Sequence, residues 1–468
     1  MTGMAALTVA TWHGAVIAES EHCQYIGGVP YFPPQALNTE YLRPSGHETV
    51  CVEKGVARYY DLIVEGRVNP AAAWYYPEPR SGHAHIRDHV AFWNGVRVVN
   101  AGGNGGGPTQ QTEALRAVDR RELLEFLLTV PKTEIHLHLE ATAGAAEIFQ
   151  LMERNGVKIP GIEIFEDLIS RFQVRNLTEF VSLFVDVLQP VVQSEEDLGT
   201  LVQGACDYLR RNNIPYAELF LSPSNYLKRD MDFARIVEVI SSEAVIAEAD
   251  HDVRMRFIVD ISRTFGPENA MRNVELTLQH GNDHILGIGL GGAEADGPAK
   301  DYVDAFAAAR EAGFHAVAHA GEDVGPESIV ASVDLLKAER IGHGLSAMLD
   351  PDLMERLADM QLPVECCPTS NVFTRRFINK LEEHPLPRFL DAGINACVNT
   401  DDPAIFGVDL VDEFINVRHS MGVERARLGK LIENGVYATF LPKAEQDALW
   451  KKAAKVVKPF VAGEQQHR

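Results

Sequence analysis

The feature that most constrains the fold is an alternation that begins after residue 112. Short apolar runs of strand length alternate there with helix-length amphipathic stretches, a pattern typical of βαβ units in a parallel sheet covered by helices. Eight runs can be counted: TEIHLHLE (133–140), PYAELFLS (215–222), VRMRFIVDI (253–261), ILGIGLGG (285–292), HAVAHAGE (315–322), RIGHGL (340–345), PVECCPTS (363–370) and NACVNTDD (395–402). Eight units in about 350 residues predict an α/β fold, a (β/α)8 TIM barrel with inserted helices. The longest gap, residues 141–213, is expected to be helical and to cover the barrel mouth.

The region before the barrel has a different pattern. Residues 1–100 contain short aromatic and β-branched segments separated by Gly, Pro and Asn, which predicts a small mostly-β domain. The segment AGGNGGGPTQQT at 101–112 predicts a flexible linker, so the barrel domain is assigned to residues 113–468. The phrases YFPP, CVEKGVARYY, AAWYYPEP and VAFWNGV resemble a small bacterial domain family of uncharacterised function. That resemblance implies no chemistry.

Charge restricts the class of partner. The formal charge is −23, and all but −2 of it lies on residues 113–468. Such a field repels polyanions and offers no basic stripe for phosphates, which excludes nucleic acids and anionic membranes as expected partners. A neutral or lightly charged small molecule is the expected substrate.

The cysteines and the N-terminus indicate the compartment. The six cysteines form no CxxC pair, so neither a disulfide framework nor a cysteine zinc site is indicated. The N-terminus lacks a basic start followed by a long apolar core, and the chain has no apolar run long enough to span a bilayer. We therefore expect a cytoplasmic protein with reduced thiols. The sequence carries no signal for an oligomeric state.

Histidines and carboxylates recur at the carboxyl ends of the predicted strands. They are His136 and His138 on the first, His319 and Glu322 on the fifth, His343 on the sixth, and Asp401 and Asp402 on the eighth. In a TIM barrel this end is the catalytic face. Residues two apart on a strand point the same way, so His136 and His138 should converge. Three histidines and an aspartate are ligands that suit Zn²⁺ with a position left open for water.

The motifs that carry these residues resemble those of a known family. PKTEIHLHLE, HAGE, RIGHG and NTDDP, in this order, are similar to the motifs of the adenosine deaminase family, within the amidohydrolase group of metal-dependent barrels. The resemblance implies one zinc ion per chain, held by His136, His138, His319 and Asp401. A single metal is also favoured because the fourth run, ILGIGLGG, lacks the lysine typical of binuclear relatives.

The same resemblance implies the roles of the other site residues. Glu322 would donate a proton to purine N1, His343 would sit beside the metal-bound water, and Asp402 would hydrogen-bond N7. The substrate contacts expected besides Asp402 are His138, Glu140 and the backbone N–H of Gly292, directed at N3. A metal lowers the pKa of bound water from near 15.7 to about 7. Acid catalysis is worth roughly 10²- to 10⁴-fold, and it requires a protonated Glu322 with a raised pKa.

One position departs from the family pattern. Typical adenosine deaminases have Asp-Gly shortly after the first histidine pair, whereas this chain has Glu140-Ala141 there. Members acting on free adenine or on aminodeoxyfutalosine are similar in carrying glutamate there. A polar side chain that can form its hydrogen bond with only one of two substrates discriminates strongly between them. We therefore expect Glu140 to set the substrate specificity.

The sequence thus predicts an adenosine deaminase-like hydrolase. Its expected reaction is zinc-dependent hydrolytic deamination of adenosine or a closely related adenine nucleoside to the 6-oxo product and ammonia. An adenine or aminodeoxyfutalosine deaminase is the alternative within the same chemistry. A non-catalytic purine-binding module is an alternative from a different class, and the complete set of ligand and proton-transfer residues opposes it.

Overall fold

The structure is a computed structural model that describes residues 7–12, 15–26, 29–51, 54–64, 67–93, 96–100, 110–172, 174 and 177–466. The chain divides into two compact units, Met1–Thr129 with Gly161–Ser170, and Val130–Pro160 with Arg171–Arg468. Of the predicted linker, residues 101–109 lie outside the described residues, and its last three residues begin a helix, Gln110–Thr129. The assignment of domains at residues 100 and 113 stays a prediction.

The N-terminal unit is built mainly from short antiparallel strands. These are β1 Thr8–Trp12, β2 Ala15–Ser20, β3 Gln24–Ile26, β4 Val29–Tyr31, β5 Leu42–Cys51, β6 Gly55–Val64, β7 Arg67–Tyr75, β8 Val90–Phe92 and β9 Arg97–Asn100. They form sheets in the orders β2-β1-β9, β3-β4 and β5-β6-β7-β8. The predicted mostly-β domain is confirmed.

Aromatic side chains close part of the core of this unit. Trp74 and Tyr31 meet edge to face with ring centroids 6.0 Å apart, and the Trp74 indole N–H donates to the Tyr31 hydroxyl at 3.2 Å. Both residues are buried. Large rings therefore supply apolar area while their polar atoms satisfy one another.

The second unit is an eight-stranded parallel barrel. Its strands are β10 Thr133–His138, β11 Tyr216–Leu221, β12 Arg254–Asp260, β13 Ile285–Leu290, β14 His315–Ala320, β15 Arg340–His343, β16 Val364–Cys366 and β17 Ala396–Val398. They pair in sequence order, and a bridge between Leu137 and Asp401 joins the first strand to the end of the last. The predicted TIM barrel is confirmed.

Each predicted strand overlaps an observed one but extends one to four residues past its carboxyl end. The predicted ends were wrong because several residues there leave the extended conformation. His343 and Asp401 have φ values of +62° and +69°, and Gly292 and Gly321 have φ values of +83° and +74°. The chain turns at these positions, and the side chains that follow line the mouth of the barrel rather than its wall.

Helices occur in both units of the chain. They are α1 Gln110–Thr129, α2 Ala145–Asn155, α3 Phe165–Arg171, α4 Leu177–Leu183, α5 Gln189–Val191, α6 Glu195–Arg211, α7 Ser224–Leu227, α8 Phe233–His251, α9 Gly266–His280, α10 Val303–Glu311, α11 Pro326–Ala331, α12 Pro351–Met360, α13 Pro368–Thr374, α14 Leu386–Asp391, α15 Pro403–Phe406, α16 Leu410–His419, α17 Arg425–Ala438 and α18 Lys443–Gln466. The segment 141–213 contains α2 to α6, as predicted. Among the described residues, no helix has the length and apolar character needed to cross a membrane.

Candidate metal and active site

Strand ends of the barrel bring a compact group of histidines and aspartates together. Two overlapping groups have potential ligand atoms within 4.8 Å of one another: His136, His319, His343 and Asp401, and His138, Asp401 and Asp402. These residues lie at the carboxyl ends of β10, β14, β15 and β17, as the sequence predicts. The arrangement is a candidate metal centre at the catalytic end of a TIM barrel.

Asp401 is positioned by the closure of the barrel. Its backbone N–H donates to the His136 carbonyl at 3.1 Å, and its own carbonyl accepts from the His138 N–H at 3.0 Å. Its φ of +69° is sparsely populated by non-glycine residues and is typical of strained functional positions. The Asp401 carboxylate Oδ1 lies 3.2 Å from His138 Nε2 and 3.5 Å from His136 Nε2. The hydrogen bonds that close the barrel therefore also place this carboxylate against the histidine pair.

His136 is oriented by a buried carboxylate. Its Nδ1 donates to Glu365 Oε2 at 2.7 Å, and Glu365 Oε1 forms an ion pair with Arg340 at 2.6 Å. Both charged side chains are almost fully buried, and Arg340 also pairs with Glu218 at 2.5 Å. With its proton on Nδ1, the imidazole presents the lone pair of Nε2 to the site, and this buried atom has no hydrogen-bond partner in the described part of the chain. Such a carboxylate–histidine pair is typical of metal ligands.

His138, at the end of β10, and His319, on β14, meet at the same point. His138 Nε2 lies 3.2 Å from His319 Nε2. With both rings protonated at Nδ1, the two Nε2 lone pairs would be free to bind one cation. The Asp401 carboxylate supplies the negative charge, and its Oδ2 accepts from the Ser370 hydroxyl at 2.7 Å. Three imidazoles and one carboxylate fit a zinc ion, which takes nitrogen and oxygen ligands with one position left open in catalytic sites.

Glu322 lies at the edge of this group. Its Oε2 is 3.5 Å from His343 Nε2, and its side chain is 20% exposed. Burial raises the pKa of Glu322 well above its usual range, and the nearby carboxylates of Asp401 and Asp323 raise it further. Glu322 is therefore suited to hold a proton at neutral pH.

The backbone around Glu322 is held by a second glutamate, Glu294, which the sequence motifs did not predict. The buried Glu294 carboxylate accepts N–H groups from the four successive residues 321–324 at 2.6 to 3.1 Å. Four hydrogen bonds satisfy a buried charge that would otherwise be costly. Glu294 follows β13, the fourth strand of the barrel, where the sequence motif indicated only glycines.

The remaining predicted substrate contacts surround the same mouth. Burial and the adjacent charge of Asp401 raise the pKa of Asp402 to about 8. Glu140 is buried, and its Oε1 accepts the Ser222 backbone N–H at 3.0 Å. Gly292 has a φ of +83°, and a Cβ atom there would lie 2.6 Å from the Ser262 hydroxyl oxygen. Glycine is thus required at this position both by conformation and by space.

Two further site partners were not predicted. Glu365 lies inside the run PVECCPTS, and a carboxylate in an otherwise apolar strand was the available signal. Asp260 is the last residue of β12, the third strand of the barrel. Its carboxylate accepts hydrogen bonds from the Ser222 hydroxyl at 2.9 Å and from the Gly291 N–H at 2.7 Å. Applying the strand-end criterion to the third strand would have found Asp260.

Comparisons with known proteins decide the family. The adenosine deaminase family model matches residues 131–456, which is more than half of the chain. The chain belongs to the adenosine deaminase family. A second model, a domain of unknown function called DUF427, matches residues 5–101. The chain is therefore a deaminase-type hydrolase of the amidohydrolase group with an added N-terminal domain, and the predicted family assignment is confirmed for both parts.

Two different activities are named among the relatives of this chain. An adenine deaminase of Streptomyces coelicolor is 35% identical over 323 residues, which cover 69% of this chain and 94% of the relative. An aminodeoxyfutalosine deaminase of the same organism is 32% identical over 324 residues, covering 69% of this chain and 83% of the relative. The crystal structure of an adenine deaminase from Arthrobacter aurescens superposes with a TM-score of 0.67 at 31% identity, covering 70% of this chain and 100% of that chain.

The hydrogen bond from His136 to Glu365 yields a testable prediction. Glu365→Gln should weaken zinc binding about 10- to 100-fold, because an amide oxygen orients the imidazole less firmly and adds less to its basicity than a carboxylate does. Competition with a chromophoric chelator measures this affinity. Glu339→Gln is the matched control, since Glu339 holds the Nδ1 of the partly exposed His315 at 2.9 Å and lies outside the site. Equal zinc affinities for the two variants would contradict the ligand assignment of His136.

Proposed function

We propose that this chain catalyses the hydrolytic removal of the 6-amino group of adenine, with water as co-substrate and with ammonia and the 6-oxo base as products. The observation that carries the proposal is the position of Glu322, whose carboxyl group lies 3.5 Å from His343 beside a cluster of three histidines and an aspartate. A protonated carboxylic acid next to a metal centre suits acid-assisted attack of water on a purine ring. The adenine deaminase relatives favour the free base as substrate.

The adenine deaminase relatives favour free adenine over adenosine, which is the substrate that the sequence motifs predict. An aminodeoxyfutalosine deaminase remains the second candidate, because a relative of that activity is 32% identical over a similar span. Both kinds of relative support an adenine ring as the reacting group. They differ in what is attached to the ring.

We assign the metal to His136, His138, His319 and Asp401, with one zinc ion per chain. Two observations support this set: His136 Nε2 has no hydrogen-bond partner among the described residues, and His138 approaches His319 closely. When bound, zinc supplies a Lewis acid that lowers the pKa of a coordinated water. The protein supplies the orientation of these ligands through Glu365 and the Asp401 backbone.

The proton-transfer roles follow from position. Glu322 is assigned as the acid that gives its proton to N1, which takes up the electron pair displaced when water attacks C6. His343, at 3.5 Å from Glu322, is assigned to the oxygen of the attacking water. Asp402 is assigned to N7, and the raised pKa of Asp402 supports a protonated side chain that donates to this ring nitrogen. The backbone N–H of Gly292 is assigned to N3.

Specificity is assigned to Glu140. Its carboxylate is held by the Ser222 backbone N–H and by the Tyr226 hydroxyl, so its position is defined before a substrate arrives. Burial raises the pKa of Glu140. A buried side chain held in this way, two residues after the His138 ligand in sequence, is suited to read the N9 side of the ring.

A substrate panel tests the proposed reaction. Zinc-loaded protein should change the ultraviolet absorbance of adenine as the 6-oxo base forms, with kcat/KM higher for adenine than for adenosine. Aminodeoxyfutalosine belongs in the same panel, and a higher kcat/KM for it would favour the second candidate. An unchanged absorbance for every adenine compound would overturn the deaminase proposal.

Glu322→Gln tests the assignment of the acid. Since an amide is a poor proton donor, kcat should fall by roughly 10²- to 10⁴-fold while the zinc content remains that of the wild type. Steady-state kinetics and elemental analysis measure the two quantities. Glu327→Gln, at an exposed position five residues later, is the control and should leave both unchanged. Near-normal turnover by Glu322→Gln would show that another group protonates N1.

A further inference from the structure

Two buried polar residues, Asn371 and His384, form a line of hydrogen bonds that ends at His343 Nδ1. We call it the Asn371–His384 line. Asn371, on α13, places its Nδ2 at 3.1 Å from His343 Nδ1. The Oδ1 of the same amide is 3.2 Å from His384 Nε2. His384 Nδ1 accepts the backbone N–H of Leu386, the first residue of α14, at 3.1 Å. Asn371 is fully buried and His384 is 4% exposed, and neither is among the residues assigned to metal or substrate above.

The direction of every hydrogen bond in this line is determined by its far end. The Leu386 N–H can only donate, so His384 Nδ1 carries no proton. Burial lowers the pKa of His384 to about 3, which leaves the ring neutral with its single proton on Nε2. That N–H donates to the amide oxygen of Asn371. The amide nitrogen of Asn371 then faces His343 and donates to Nδ1.

A rotated Asn371 amide would break the line at both ends. Its NH₂ group would oppose the Nε2–H of His384, and two donors would face each other in a buried place. The oxygen and nitrogen of an amide have nearly the same shape, and here the backbone N–H of Leu386 requires one orientation.

The hydrogen bond at Nδ1 of His343 determines which ring nitrogen carries the proton at the site. Because Nδ1 accepts a hydrogen bond, the imidazole cannot be doubly protonated, and its single proton lies on Nε2. Nε2 is the atom 3.5 Å from Glu322 Oε2. We propose that Asn371 and His384 are positioning residues that hold His343 in the Nε2–H tautomer, so that His343 acts at the site as a hydrogen-bond donor and not as a proton acceptor.

This inference rests on the proposed function only for its catalytic meaning, and the tautomer itself can be observed without turnover. The full-length, zinc-loaded protein is labelled with ¹⁵N-histidine, and long-range ¹H–¹⁵N spectra are compared with those of His343→Gln to assign the His343 ring. The expected spectrum shows an unprotonated Nδ1 and a protonated Nε2. A proton on Nδ1, alone or together with one on Nε2, would overturn the proposal.

Variants then connect the tautomer to the reaction. Asn371→Asp replaces the donor by an acceptor, so it should move the proton of His343 to Nδ1 and lower kcat on adenine by about 10²-fold or more, with KM and zinc content unchanged. His384→Gln keeps an N–H directed at Asn371 and should retain the wild-type tautomer and most of kcat. Asn282→Asp is the control, because the Asn282 amide donates to the Ser241 hydroxyl at 3.0 Å before the amino end of β13, opposite the catalytic face, and it should leave the tautomer and kcat unchanged.

The outcomes separate this proposal from the proposed function. The expected His343 tautomer in a protein that turns over no adenine compound would sink the deaminase proposal and leave the positioning role intact. A shifted tautomer in Asn371→Asp with an unchanged kcat would show that His343 needs no fixed donor, which contradicts the positioning role. If Asn371→Asp fails to fold, the wild-type spectrum and His384→Gln still decide.

Discussion

The closure of the barrel between its first and last strands is the constraint on which the site depends. Two backbone hydrogen bonds join Asp401 to His136 and His138. They hold Asp401 in a left-handed conformation that an isolated aspartate would rarely adopt. The cost of this conformation is offset by the many contacts of a closed sheet, and in return the carboxylate and the two imidazoles share one point. Fold and ligand geometry are therefore one feature of the molecule.

Around that point, the site is ordered by partners that never reach the reacting atoms. Glu365 sets the tautomer of His136, and the Asn371–His384 line sets that of His343. Glu294 fixes the backbone on both sides of Glu322 through four N–H groups. These partners are buried carboxylates, an amide and an imidazole, so each exchange of donor for acceptor would leave an unsatisfied polar group. The site is thereby held in one protonation pattern before any substrate binds.

Local patterns in the sequence predicted the barrel and the group of residues that meets at its mouth. His136 and His138 follow from the two-residue period of a strand, and His319, His343 and Asp401 follow from their places at strand ends. The partners were not predictable in this way. Glu365 is 229 residues from His136, and Asn371 is 28 residues from His343, so their pairing depends on side-chain directions that only the assembled barrel defines. The strand ends were misjudged because φ values above zero interrupt the extended chain there.

The most direct test of the proposed metal centre is anomalous diffraction at the zinc absorption edge from crystals of the zinc-loaded protein. We expect one strong peak per chain, about 2.0–2.2 Å from a ring nitrogen of His136, His138 and His319 and from a carboxylate oxygen of Asp401. His343 should lie beside the ion without binding it. A second peak within about 4 Å of the first would indicate a two-metal site. That result, or a peak bound by other residues, would contradict the proposed mononuclear site.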